Sequence, residues 1–183
     1  MRNETPIAYG IDFGTSNSCV SVAYKSEVKS LGKLTSPGVP SLLYLDDIGQ
    51  ILVGDEAAEG FLLRGGFPTC RLMSSLKSFL SHQSFTSTSS WDRTWDLPDL
   101  VGYIIRHLKN EADDLTGHDV RRVVLGHPVL FPGVDDEQYN ELQELAVERL
   151  NAAAERAGFN EIEFLDEPTA ALTNNDIKRG ITI

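Results

Sequence analysis

The segment at residues 7–24, IAYGIDFGTSNSCVSVAY, constrains the fold more than any other part of the chain. Residues 7–13 read as a buried strand, and residues 18–24 alternate small and apolar side chains as a second strand does. Only Gly14, Thr15, Ser16 and Asn17 separate the two runs, so the spacing predicts a hairpin. Glycine and small residues after a strand let backbone N–H groups converge on an anion, phosphate being the obvious one. The Walker loop and the dinucleotide fingerprint also work this way, but they lead from a strand into a helix, and neither GxxxxGK[ST] nor GxGxxG occurs here. Those folds are disfavoured. Asp12 admits two readings: a cap that bonds the loop's own N–H groups, or a carboxylate that meets a phosphate across a divalent cation such as Mg2+.

The rest of the chain reads as mixed α/β. An open stretch follows the first hairpin, and then SLLYL and ILVG, punctuated by DDIGQ, suggest a second hairpin ending near Gly54. DEAAEGFLL suits a short helix with acids in its first turn, broken by Gly65, Gly66 and Pro68. Residues 81–96 are rich in Ser and Thr and are expected in an exposed loop or irregular edge strands. Leu97, Leu100, Val101, Ile104, Ile105, Leu108, Ala112 and Leu115 then repeat at three and four, which predicts an amphipathic helix. RRVVLGHP reads as a strand stopped by Pro128. Asp135 and Gln138 resemble a capping box opening a helix whose face runs from Leu142 to Ala157 and which Gly158 ends. EIEFL reads as a last strand, with Pro168 where a helix would begin.

Composition narrows the function. A formal net charge of -11 argues against a nucleic-acid grip, which needs clustered Lys and Arg. No apolar run approaches the ~20 residues of a membrane span, and no secretory leader pattern opens the chain, so a cytoplasmic protein is expected. Cys19 and Cys70, and His82, His107, His118 and His127, fall outside metal-ligand spacing. Two further features bear on phosphate chemistry. Asp166 and Glu167 follow a strand and precede PTAA, although acids there also suit an ordinary helix start. Lys77 lies in SSLKSFL, where a lone lysine is normally a snorkelling surface residue.

Together these motifs resemble the heat shock protein 70 chaperone family. YGIDFGTSNSCVSV is similar to its first phosphate motif, LVGDEAA to a segment of its small peripheral subdomain, SSLKSFL to the surroundings of its active-site lysine, and FLDEPTAAL to its connect motif. The order and spacing also agree, from about residue 7 to residue 175. The resemblance implies an α/β, actin-like ATPase lobe of the ribonuclease H-like type: a mixed sheet with helices plus a small inserted α+β subdomain. Residues 1–40 and 97–183 would form the core subdomain and residues 41–96 the insertion, with the C-terminal lobe and any peptide-binding domain absent.

By matched position the resemblance implies ATP and Mg2+ as cofactors. Asp12 would hold Mg2+ through water; Gly14, Thr15, Ser16 and Asn17 would contact the phosphates; Lys77 would reach the terminal phosphate and Glu167 would orient the attacking water. Pro128 matches the proline that couples nucleotide state to peptide binding, whereas its partner arginine has no clear match, Val147 or Arg149 lying nearby. Asp166 stands where the family usually has asparagine, Phe13 where it has leucine, and Gly126-His127 where it has β-branched residues. The second phosphate loop would follow Gly180, so the chain is expected to be one lobe of a longer ATPase, with little hydrolysis of its own. Client polypeptides, J-domain proteins and nucleotide-exchange cochaperones would be its partners, with no nucleic acid and no membrane. A sugar or metabolite kinase of the same superfamily and a non-hydrolysing scaffold are the alternative functions.

Overall fold

The computed structural model describes residues 4–31, 38–46, 48–64, 69–90, 93–127 and 139–166. β1 (Ala8–Asp12) and β2 (Asn17–Ala23) form the expected antiparallel hairpin, with Asp12 opposite Cys19. The alternation in β2 has its physical counterpart, since Ser18, Val20 and Val22 are buried while Asn17 and Cys19 are exposed. β3 (Val28–Leu31) continues the sheet where open chain was expected. It is an edge strand whose first three residues are exposed, so no apolar alternation announces it. β4 (Val39–Pro40) pairs with the start of β2.

The next segment builds two smaller sheets. β5 (Leu43–Leu45) lies between β6 (Ile51–Val53) and β7 (Arg71–Met73), both antiparallel to it, and α1 (Asp55–Arg64) packs against β5 and β6. The buried Asp46 carboxylate fixes the turn between β5 and β6: it accepts from the backbone N–H of Ile48 at 3.0 Å and of Gln50 at 2.6 Å, and from Arg64 Nη1 at 2.9 Å. After the 3-10 helix Leu76–Phe79, part of the Ser/Thr-rich stretch pairs as a ribbon of β8 (Ser87–Ser90) and β9 (Arg93–Asp96).

The helices carry the main core. α2 (Leu97–Thr116) is capped by Asp96, whose side chain accepts from the Asp99 N–H at 2.8 Å, and Pro98 sits in its first turn, where its missing N–H costs nothing. Leu97, Leu100, Val101, Ile104, Ile105, Leu108 and Ala112 are buried as the periodicity predicts. Burial of each large aliphatic side chain among them contributes roughly 1.5–3 kcal/mol. Leu115, counted on the same face, is 72% exposed, because the last turn of α2 reaches beyond the core. β10 (Arg122–His127), α3 (Tyr139–Ala157) and β11 (Glu161–Asp166) follow, and β10 pairs in parallel with both β1 and β11. A parallel pair needs a crossover, and α3 supplies it between β10 and β11. Gly158, at φ +105°, takes the left-handed turn that ends α3.

The main sheet therefore has the order β11-β10-β1-β2-β3, with β4 attached to β2. α2 and α3 pack against each other, and α2 also against β1 and β2. Arg156 of α3 donates to Asp96 and, at 2.8 Å, to Asp99, which ties the start of α2 to the end of α3. At the other end of α2, Tyr9 Oη donates to Asp113 Oδ1 at 2.8 Å, and the nearly buried Lys109 bonds Asp113 and Asp119 at 2.5 and 2.6 Å. Among the described residues no helix is long and apolar enough to cross a membrane. Pro128, the Asp135–Gln138 capping box, Glu167 and Pro168 lie outside the described residues, as does the side chain of Asp166.

Candidate functional site

Gly14 is required by its surroundings. A Cβ at this position would lie 2.0 Å from the carbonyl oxygen of Asn17, a backbone atom that cannot step aside. The loop doubles back tightly, and three hydrogen bonds, one buried and two part-buried, close it. The Gly14 N–H donates to Ser18 Oγ at 3.3 Å, the Ser18 and Ser41 hydroxyls meet at 2.9 Å, and Ser41 Oγ donates to the Gly14 carbonyl at 2.9 Å. Because Ser41 gives its proton to Gly14, the Ser18 hydroxyl donates to Ser41, and the polarity of the ring is fixed. Ser18 and Ser41 are 0% and 1% exposed, so neither hydroxyl is replaced by water. The Ser41 N–H adds a bond to the Ser16 carbonyl at 2.8 Å. With its main chain held from behind, the loop presents Thr15, Ser16 and Asn17 as exposed residues on the outside.

Sequence reading named the loop but missed Ser18 and Ser41. Ser18 carries the strand alternation as an ordinary small residue, and Ser41 is one serine after a proline, with nothing local to mark a contact 27 residues back along the chain. In this conformation the Gly14 N–H is committed to Ser18, so Gly14 serves the loop by lacking a side chain.

Asp12 ends β1 and is exposed. In the parallel part of the sheet it pairs with Gly126 of β10, which pairs with Leu165 of β11, so the carboxyl ends of all three strands meet one edge. Ligands of open α/β sheets bind outside such an edge. With strands roughly 4.8 Å apart, the start of the Asp166–Glu167 motif comes within about 10 Å of Asp12 at backbone level. Asp12 also acts on its cross-strand neighbour: burial first, and then the Asp12 carboxylate, push the Cys19 thiol above the usual thiol range.

Lys77 differs from the surface reading of a lone lysine. It lies in the 3-10 helix Leu76–Phe79, against α2, and is 7% exposed. The residue before the helix, Ser75, has φ 58°, the only positive φ among the described non-glycine residues. Arg149 faces this same region, its guanidinium bonded to carbonyls of residues 79–85.

The donor set suits a hard cation and phosphate oxygens. It offers one exposed carboxylate with neighbouring hydroxyl and amide side chains, and no cluster of three or more His, Cys, Asp or Glu occurs among the described residues. A concavity of about 370 Å3 opens between β6 and α1 and another of about 430 Å3 between α3 and β11, and neither is lined by the loop.

No family model matches the chain. It is 26% identical over 173 residues to the chaperone protein DnaK of Thermosipho africanus, a match covering 93% of this chain and 26% of that protein. The chaperone protein DnaK of Mycoplasmoides gallisepticum is 30% identical over 186 residues, 98% of this chain and 28% of its own length. That of Mycoplasmopsis agalactiae is 28% identical over 169 residues, covering 90% and 25%. The chain spans about a quarter of the length of the curated relatives it matches.

Proposed function

Because the chain is a divergent member of the heat shock protein 70 (DnaK-type) family, we propose that it is the first lobe of an actin-like nucleotide-binding domain. In a longer polypeptide this domain binds Mg-ATP and couples its hydrolysis to the handling of client proteins. The observation that carries the reading is the hydroxyl ring that braces Gly14 at the carboxyl edge of the parallel strands. The sheet order β11-β10-β1-β2-β3, with β1, β2 and β3 mutually antiparallel and β10 and β11 parallel to β1, supports a ribonuclease H-like core from residues 1–40 and 97–183. The separate sheets of β5–β9 support an inserted subdomain at residues 41–96.

Phosphoryl transfer demands positioning and charge neutralisation more than covalent chemistry. Thr15, Ser16 and Asn17 would receive the phosphate oxygens on the outer side of the braced loop. Lys77 would neutralise the terminal phosphate, its burial strengthening that attraction. Asp12 would hold a hydrated Mg2+, and Glu167 would orient the attacking water. When bound, the metal supplies charge neutralisation at the phosphates. Client polypeptides, J-domain proteins and nucleotide-exchange cochaperones would be the partners, in the cytoplasm.

The test is calorimetry with ATP on the full-length protein. Saturable binding that needs Mg2+ supports the reading, and no binding of ATP in the presence of Mg2+ rejects it.

A further inference from the structure

Residues 80–86 connect the 3-10 helix to β8 and join no sheet. Their carbonyls need other partners. Local backbone bonds meet part of that need, the His82 N–H donating to the Phe79 carbonyl at 3.0 Å and the Phe85 N–H to the His82 carbonyl at 3.3 Å, and one side chain adds to them: Arg149 Nη1 donates to the carbonyls of Phe79, Leu80 and His82 at 3.1, 2.9 and 3.0 Å, and Nη2 donates to that of Phe85 at 3.1 Å. Burial pushes the guanidinium pKa down, against the opposing charge of Glu148. A planar fork can serve several acceptors at once, which a lysine ammonium at the same place cannot reproduce.

The clamp lies immediately downstream of Lys77. The Leu80 N–H bonds the Lys77 carbonyl at 3.2 Å, so the first clamped residues continue the turn that carries the lysine. Upstream, the chain enters that turn through Ser75 at φ 58°. A strained residue persists only where the surroundings over-determine it. The turn is thus strained at its entrance and held from α3 at its exit.

We infer that Arg149 is a positioning residue for Lys77: by gathering the carbonyls of Phe79, Leu80, His82 and Phe85 it fixes the turn that holds the lysine toward the phosphate site. This rests on the proposed role of Lys77 as a phosphate ligand. It also assigns Arg149 a task within its own lobe, one separate from signalling through Pro128.

Two readouts on the full-length protein test it, with Arg149→Met, the milder Arg149→Lys, Lys77→Ala and the double variant Arg149→Met/Lys77→Ala. Amide exchange at Leu80, His82 and Phe85 should quicken by roughly tenfold or more in both Arg149 variants, with the amides of α2 unchanged as proof of folding. Titration with Mg-ATP and Mg-ADP should show the ATP preference falling by roughly tenfold in each single variant, as expected for a lost charge-assisted contact. ADP affinity should change less than about twofold, and the double variant should lose no more than Lys77→Ala alone. The inference is overturned if Lys77→Ala lowers the ATP preference while the Arg149 variants keep it. Equal losses for ATP and ADP, or additive losses in the double variant, overturn it too, since they mark a merely structural or independent role. An unchanged preference in Lys77→Ala overturns the phosphate role of Lys77 itself, and so identifies the underlying reading as the part that failed.

Discussion

Replacing Ser41 with alanine should loosen the Gly14 loop without removing any charge. The substitution deletes two hydrogen bonds, a part-buried one donated to the Gly14 carbonyl and a buried one received from Ser18. Each is worth roughly 0.5–1.5 kcal/mol net, and the buried partners left behind are themselves costly, so a loss of about 2 kcal/mol is expected. For a chain of 183 residues that corresponds to roughly 4–8 °C in Tm. Ser18→Ala should cost a similar amount, and the double variant less than the sum by about 1 kcal/mol, because the second deletion removes a group that the first had already orphaned. Ser26→Ala is the control, its hydroxyl forming an exposed bond to Glu4 at 2.7 Å. The assay is chemical denaturation of the four proteins of the double-mutant cycle and of the control. A Ser41→Ala cost below about 0.5 kcal/mol, or strict additivity with Ser18→Ala, would refute the ring.

Other outcomes follow from the same geometry. Burial alone would raise the Asp96 carboxyl, but Arg156 and the Asp99 N–H together hold it below the usual value. Its folded pKa is depressed, so its contribution is present above about pH 4 and is lost as pH falls through the folded value. Asp96→Ala should cost about 1 kcal/mol at pH 7 as a lost helix cap, and denaturation at low pH should show the gap to the native protein closing. Asp12→Asn should lower the Cys19 pKa and so speed alkylation of Cys19 at fixed, mildly alkaline pH, read by mass spectrometry; an unchanged rate would show that the two side chains do not sense each other. Glu167→Gln and Lys77→Ala in the full-length protein should slow ATP hydrolysis by roughly a hundredfold or more while leaving the thermal transition in place, and undiminished turnover would remove both assignments.

The strand–loop–strand at residues 7–24 and the periodicity of α2 were legible because burial imposes them locally: every second residue of β2, and every third or fourth of α2, faces the core. β3 was not, since an edge strand can carry polar residues and takes its pairing from β2. Leu115 misled for the related reason that periodicity continues to the end of a helix while the core does not. At the candidate site, one short stretch marked out Asp12 and the turn at residues 14–17 that follows it. The ring to Ser41, the burial of Lys77 and the reach of Arg149 across 64 to 70 residues depend on tertiary packing, which a local pattern does not encode.

Gly14→Ala probes the loop as a phosphate cradle, because the Cβ it adds falls 2.0 Å from the Asn17 carbonyl oxygen and forces the loop to shift. Calorimetric titration of the full-length variant with Mg-ATP, beside the native protein, is the decisive measurement. Mg2+-dependent binding is expected in the native protein, and a loss of roughly a hundredfold or more in the variant, from misplaced phosphate contacts. Equal affinity in the two proteins would contradict this and take the loop at residues 14–17 out of the nucleotide site.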